Sequence, residues 1–175
     1  MIFTEIKLKG AFVVELKKNQ DARGFFSRTF CRKEFEAQGL DPNIAQANIS
    51  FNLKKGTLRG MHLQKAPYSE SKLVSCARGA IFDVIVDLRV NSSTYRQWAG
   101  EELTEDNYKA LYIPKGFAHG FMTLKDDTVV SYFMSQFYEP GSEAGFRYDD
   151  PAFGISWPIK PVVIADKDKN WPNYV

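Results

Sequence analysis

Two histidines and two cysteines are all that this chain of 175 residues holds of the side chains most used as metal ligands and cross-links. Cys31 and Cys76 lie far apart with no Cys-x-x-Cys pair, which argues against a cysteine-rich zinc site or a disulfide framework and suits two reduced thiols in a cytoplasmic protein. An excess of one charge is also lacking. The 23 Lys and Arg against 21 Asp and Glu leave +2, with the basic residues scattered, so nucleic acid is not an expected partner. No apolar run approaches the roughly 18 residues of a membrane-crossing helix, so no membrane partner is expected. The opening segment, residues 1–18, alternates apolar and polar residues as a strand does, unlike a signal peptide. Internal repeats, low-complexity tracts and Gly/Pro/Ser-rich linkers are missing too, and the expectation is one domain over residues 1–175.

What is abundant is aromatic: 14 Phe, 8 Tyr and 3 Trp, residues that favour strands and flat-walled pockets. Period-two patterning dominates. From Ala45 to Asn52 every odd position is apolar and every even one polar. Further strands are expected at 11–16, 23–30, 57–64, 72–77, 80–89, 110–113, 118–124 and 128–138, separated by turns such as Lys54-Lys55-Gly56 and Lys125-Asp126-Asp127. One short helix is expected at 32–38, with a turn of helix near Thr104-Glu105-Asp106-Asn107. Many short strands without crossover helices exclude a doubly wound α/β sheet and point to an antiparallel sandwich or barrel.

The two histidines sit in distinctive surroundings. His119 ends Pro114-Lys115-Gly116-Phe117-Ala118-His119, a Pro-x-Gly-x-x-His segment that resembles the second motif of the cupins, which are double-stranded β-helix (jelly-roll) barrels. Most cupins hold a metal through an earlier His-x-His and a later Glu. Here that place reads His62-Leu63-Gln64, one imidazole short, and two imidazoles alone make a poor transition-metal site. No metal and no cofactor are therefore expected. His62 then has to act as a plain acid or base, which its ordinary titration range suits. A lone strand histidine is by default a hydrogen-bonded core residue, but Arg59 three positions earlier argues for a ligand. Tyr132 shares strand parity with Val130, Met134, Gln136 and Tyr138, so both tyrosines are expected to face one cavity. Lys72 shares parity with Val74 and Cys76.

The chain as a whole resembles the dTDP-4-dehydrorhamnose 3,5-epimerase family and its 3-epimerase relatives. The words that carry the likeness run from about residue 20 to 170. They include Asp21-Ala22-Arg23-Gly24-Phe25-Phe26, Gln46-Ala47-Asn48-Ile49-Ser50, Leu58-Arg59-Gly60-Met61-His62, Lys72-Leu73-Val74, the strand from Phe82 to Arg89, the segment from Ile113 to Phe121, Tyr138-Glu139-Pro140 and Ile155-Ser156-Trp157-Pro158. The resemblance implies an all-β, cupin-like jelly-roll barrel with one or two short helices. It also implies an isomerase of deoxysugar biosynthesis that epimerises C3 and/or C5 of a nucleotide-linked 4-keto-6-deoxy sugar through an enolate. His62 is the implied base and Asp168 its carboxylate partner, with Asp166 as the competing choice. Asp168 is preferred because it follows Lys167 as in the family's Lys-Asp pair. Tyr132 is the implied acid and Lys72 an implied ligand of the enolate or of a sugar oxygen. Tyr138 stacks on the base and His119 meets the sugar. Arg23, Arg59, Gln46, Asn48, Glu143 and Lys167 hold the diphosphate or sugar. Members of the family are homodimers that exchange N-terminal strands.

This chain departs from the family pattern at a few positions. Arg28 stands where an acidic residue contacts the base, Glu70-Ser71 where Gln-Gly precedes the lysine, Tyr148 for a common Trp and Ala165 for a common Ser. Arg28 therefore joins the expected substrate-binding residues, and these positions bear on which base is bound and on whether one carbon or both are inverted. Rival readings are a C3-only epimerase, an epimerase of a CDP- or GDP-linked keto sugar, a 3,4-ketoisomerase, a non-catalytic sugar-nucleotide module and a metal-dependent cupin oxygenase.

Overall fold

The computed structural model describes residues 1–174. Its strands, in chain order, are β1 (Ile2–Glu5), β2 (Phe12–Glu15), β3 (Asn19–Asp21), β4 (Gly24–Phe26), β5 (Gln46–Asn52), β6 (Thr57–Gln64) and β7 (Lys72–Arg78). They continue as β8 (Ala80–Asp87), β9 (Trp98–Thr104), β10 (Ala110–Ile113), β11 (Phe117–Thr123), β12 (Thr128–Met134), β13 (Glu143–Gly145) and β14 (Val163–Ile164). Two short helices, α1 (Arg32–Ala37) and α2 (Asp166–Lys169), complete the described chain. No helix among the described residues is long and apolar enough to cross a membrane.

Two sheets face each other. One has the order β1-β2-β10-β7-β12-β5; the other runs β13-β6-β11-β8-β9, with β14 parallel to β6. All other pairings are antiparallel, so this is the jelly-roll barrel that the resemblance implies. Alternate residues of both sheets point inward and fill part of the interior with Val13, Val74, Ile81, Ile85, Leu103, Leu111, Ile113 and Val130. Each such side chain, removed from water, contributes roughly 1.5–3 kcal/mol before the entropy of ordering the chain is subtracted. The outer face of the first sheet carries Leu73, Tyr112 and Phe133 under Phe35 of α1. The outer face of the second carries Met61, Val84 and Val86 under Phe146, Phe153 and Trp157 of the C-terminal third.

Three local expectations are corrected. The strand expected at 23–30 keeps only Gly24–Phe26, paired with β3, because Phe30 turns to pack on Phe35 of α1 with ring centroids 4.9 Å apart. The strand expected at 128–138 stops at Met134, since both neighbours begin there: Met134 pairs with Gln46 on β5 and with Lys72 on β7, and no ladder partner exists beyond them. Where helix was expected near 104–107, Thr104 ends β9 and 105–107 is a turn, its backbone tied by Asn107 Oδ1 accepting from the Thr104 and Lys109 N–H groups.

Candidate active site

Beyond the apolar filling, the interior opens into a cavity of about 790 Å3, within the range typical of small-ligand sites. The two sheets contribute opposing walls. Lys72 of β7 and Tyr132 and Met134 of β12 come from one; Arg59, His62 and Gln64 of β6 and His119 and Phe121 of β11 come from the other.

A fault in the β6 ladder decides which side chains reach it. Arg59 pairs with Phe121 and His62 with His119, so β6 takes three steps where β11 takes two. That extra residue is a bulge, and it turns Arg59 and His62 to one face although their odd spacing would separate them on a regular strand. Gly60 sits within the bulge at φ +134°, where a Cβ would lie 2.5 Å from the Cα of Gly120. Its N–H donates to Asp168 Oδ2 at 3.1 Å.

Asp168 is delivered by α2 and is almost fully buried. Its Oδ1 lies 2.7 Å from His62 Nε2. Burial pushes the Asp168 carboxyl up. The His62 hydrogen bond, the His62 charge and the Gly60 N–H more than reverse this and hold it below its ordinary 3.8. Asp166, the competing choice, points to solvent with a side chain 92 % exposed and pairs only with Lys169. Of the two carboxylates, Asp168 is the one within hydrogen-bond reach of His62. His119 has an equivalent partner that the sequence reading missed: its Nε2 lies 2.7 Å from Oδ1 of Asp83, which is fully buried on β8. A lone carboxylate inside the apolar run Ala80-Ile81-Phe82-Asp83-Val84-Ile85 was the available signal, since buried charges need partners.

Tyr132 packs against the apolar interior, and burial pushes its hydroxyl up while the nearby Arg59 charge opposes part of that rise. Arg59 itself is oriented by Asn52, whose Oδ1 accepts from its Nε at 2.8 Å. Tyr138 also lines the cavity, although it does not share a strand with Tyr132 as expected. It reaches the rim through the turn after β12, where its N–H donates to Gln46 Oε1. Glu143 and Lys167 line the same rim and form an ion pair. Gln64, at the place of the second cupin imidazole, has its carboxamide fully engaged: Nε2 donates to the Tyr68 and Phe137 carbonyls, and Oε1 accepts from Glu139 N–H and the Ser142 hydroxyl.

Four expected residues do not line this chain's own cavity. Gln46 and Asn48 stand on the inward face of β5, opposite Met134 and Tyr132, but beside the lining. Arg23 is on the tip between β3 and β4, its side chain 90 % exposed and paired with Asp21. Arg28 pairs with Glu34 at 3.1 Å, and Glu34 also holds the N-terminal amine.

A jelly-roll barrel whose cavity is lined by a carboxylate-paired imidazole, a partly buried phenol and a lysine is the architecture of an enzyme of the sugar-epimerase class. The dTDP-4-dehydrorhamnose 3,5-epimerase profile matches residues 5–175, and the chain belongs to that family. A dTDP-4-dehydrorhamnose 3,5-epimerase of Sinorhizobium fredii is 42 % identical over 174 residues, 99 % of this chain and 89 % of the relative. The crystal structure of the Elizabethkingia anophelis enzyme superposes with TM-score 0.97 at 38 % identity, covering 99 % of this chain and 96 % of that one. A dTDP-6-deoxy-D-glucose-3,5-epimerase of Legionella pneumophila in complex with dTDP-4-keto-L-rhamnose gives TM-score 0.89 at 37 % identity, covering 95 % and 89 %.

Proposed function

We propose that this protein epimerises a dTDP-linked 4-keto-6-deoxy sugar at C3 and C5, giving the 4-keto-L-rhamno product, with His62 as the base and Tyr132 as the acid. The observation that carries this reading is the opposition of two walls: His62 on one sheet, paired with Asp168 of α2, and the partly buried tyrosine Tyr132 on the other. The C4 ketone acidifies the protons on C3 and C5. His62 takes one, the electron pair moves onto the ketone oxygen as an enolate, and the phenol returns a proton to the far face. Asp168 fixes the tautomer of His62 and balances the charge it gains. Lys72 lies on the cavity wall as a cation for the enolate oxygen, and His119, held by Asp83, contacts the sugar. Arg59 suits the diphosphate, whose oxyanions its planar guanidinium binds in pairs, and Tyr138 at the rim suits stacking on the base.

The second part of the proposal is a homodimer in which each copy completes the other's site. β5 is the edge of its sheet, yet it turns Ile49 and Phe51 outward, Ile49 75 % exposed, and Leu53 beyond it is exposed as well. An open apolar edge is an aggregation hazard unless it is covered. Arg23 and Phe26 stand on the exposed β3–β4 hairpin with no role in their own cavity, which suits a role in a partner's. Arg28, beside Glu34, and the inward Gln46 and Asn48 belong with this shared rim.

Incubation with dTDP-4-keto-6-deoxyglucose in deuterium oxide, read by NMR, tests the chemistry. Exchange at C3 and C5 with an L-rhamno product is expected. Exchange at C3 alone would place the protein among the C3-only epimerases, and no exchange at either carbon would overturn the proposal.

A further inference from the structure

Five basic side chains line the cavity: Arg59, His62, Lys72, His119 and Lys167. Four of them are paired with a carboxylate: His62 with Asp168, His119 with Asp83, Lys72 with Glu70 at 2.9 Å, and Lys167 with Glu143. Arg59 alone has no such partner among the described residues. The group that holds its side chain is neutral: Nε donates to Oδ1 of Asn52 at 2.8 Å.

Asn52 closes β5 and is only 2 % exposed. Its Nδ2 donates to the carbonyls of Ser50 and of Thr128, the residue opposite it on β12, both at 3.3 Å. With two carbonyls on the nitrogen, it is the amide oxygen that must face the guanidinium. Asn52 is thus fixed by the sheet that carries Tyr132, and it fixes a side chain of the sheet that carries His62.

This contact has a geometric and an electrostatic consequence. A guanidinium grips an oxyanion either through its Nε–Nη edge or through its Nη1–Nη2 end. The Nε–H is already taken, so the Nη1–Nη2 end is what remains for a ligand. An amide oxygen also orients a cation without cancelling its charge, whereas a carboxylate in the same place would neutralise it.

We propose that Asn52 is the positioning residue that keeps Arg59 for the diphosphate, aiming its Nη1–Nη2 end into the cavity and leaving its charge uncompensated; the inference rests on the role given to Arg59 above. Asn52 does not line the cavity, and both ends of its amide are engaged, so it acts through Arg59 and not as a ligand itself. Its effect falls on nucleotide binding more than on turnover.

Calorimetric titration with dTDP tests this. Asn52→Ala removes the acceptor, and Kd is expected to rise about tenfold while kcat at saturating substrate stays within about threefold. Asn52→Asp keeps an acceptor but adds a counter-charge, and it should weaken dTDP binding at least as much as Asn52→Ala. In an Arg59→Ala background, Asn52→Ala should weaken binding by less than about a further twofold, because its target is gone. Equal losses in both backgrounds would leave Asn52 as a support of the strand end only, and an Asp variant that binds as tightly as the wild type would overturn the charge argument and the proposal with it. Should Asn52→Ala not fold, the wild-type protein decides: a slowly exchanging Arg59 Nε–H resonance in a 1H–15N spectrum of the free protein, assigned by its loss in Arg59→Ala, is expected, and its absence overturns the proposal. If Arg59→Ala itself binds dTDP as the wild type does, the premise fails instead, and the diphosphate role of Arg59 falls together with the inference drawn from it.

Discussion

Nε2 of His62 stands 2.7 Å from Oδ1 of Asp168, a residue 106 positions later, and the same carboxylate receives the Gly60 N–H through its other oxygen. One group thus orients the imidazole and pins the bulge that turns it into the cavity. Asp168→Asn should keep the fold, since an amide oxygen can still accept from Gly60, yet lower kcat by a factor on the order of 10⁴, as in other His–carboxylate dyads. Asp166→Asn should be silent. Kinetics with thermal melts checks both; a silent Asp168→Asn would remove the dyad from the mechanism.

Tyr132 separates acid from base. Burial pushes its pKa up from the ordinary tyrosine value, against the opposing charge of Arg59, which favours the proton-bearing phenol as a donor. In Tyr132→Phe the base remains. The substrate should still exchange its C3 proton for solvent deuterium while inverted product falls by about a hundredfold. Loss of exchange and inversion in equal measure would give Tyr132 a part in enolisation, and unchanged inversion would assign the acid to another group.

The proposed sharing of sites between two copies predicts complementation. Arg23→Ala and His62→Ala proteins, each refolded alone, should be poorly active. Co-refolded, the mixed dimers should contain one barrel with its own His62 and the partner copy's Arg23, restoring about a quarter of wild-type turnover per chain. No recovery on mixing would mean that Arg23 serves its own chain or none.

Acid stability should depend on Asp87, at the end of β8. Burial pushes its carboxyl up, but Arg89, Ser92 and Thr94 outweigh that and bring it to about 2. A depressed carboxylate pKa stabilises the fold above the unfolded value, near 3.8, and the contribution is lost as pH falls from there through about 2. The full contribution is roughly 2 kcal/mol. Urea midpoints measured between pH 7 and pH 2 should therefore drop steeply below about pH 4, and in Asp87→Asn this part of the slope should vanish.

Chelation provides a further check on the chemistry. With the Gln64 carboxamide engaged on all sides and no group of three metal-binding side chains gathered among the described residues, turnover should survive prolonged dialysis against a chelator. Loss of activity restored by one added divalent metal would reassign the cavity to metal-assisted chemistry.

Local pattern by itself marked most of the longer strands, but not β9 (Trp98–Thr104), the short β13 and β14, or α2. Period two marked β6, β7, β10 and most of the ladder within a residue or two, because alternation is a property of the strand and needs no partner to be visible. His62, Lys72, Tyr132 and Asp168 were legible through the words they occupy. Four things were decided only in three dimensions. The alternation of β5 could not say which face turns inward, and the structure turns the polar one toward the cavity and leaves Ile49 and Phe51 outside. The joint orientation of Arg59 and His62 depends on a bulge, which exists only where β6 meets β11 with one residue to spare. The end of β12, and with it the place of Tyr138, is set by where β5 and β7 begin, and the partners of His119 and Lys72 appear only when distant carboxylates fold against them. Sequence period reports what one strand can do; which of its faces, bends and charges are used is fixed by the strands beside it.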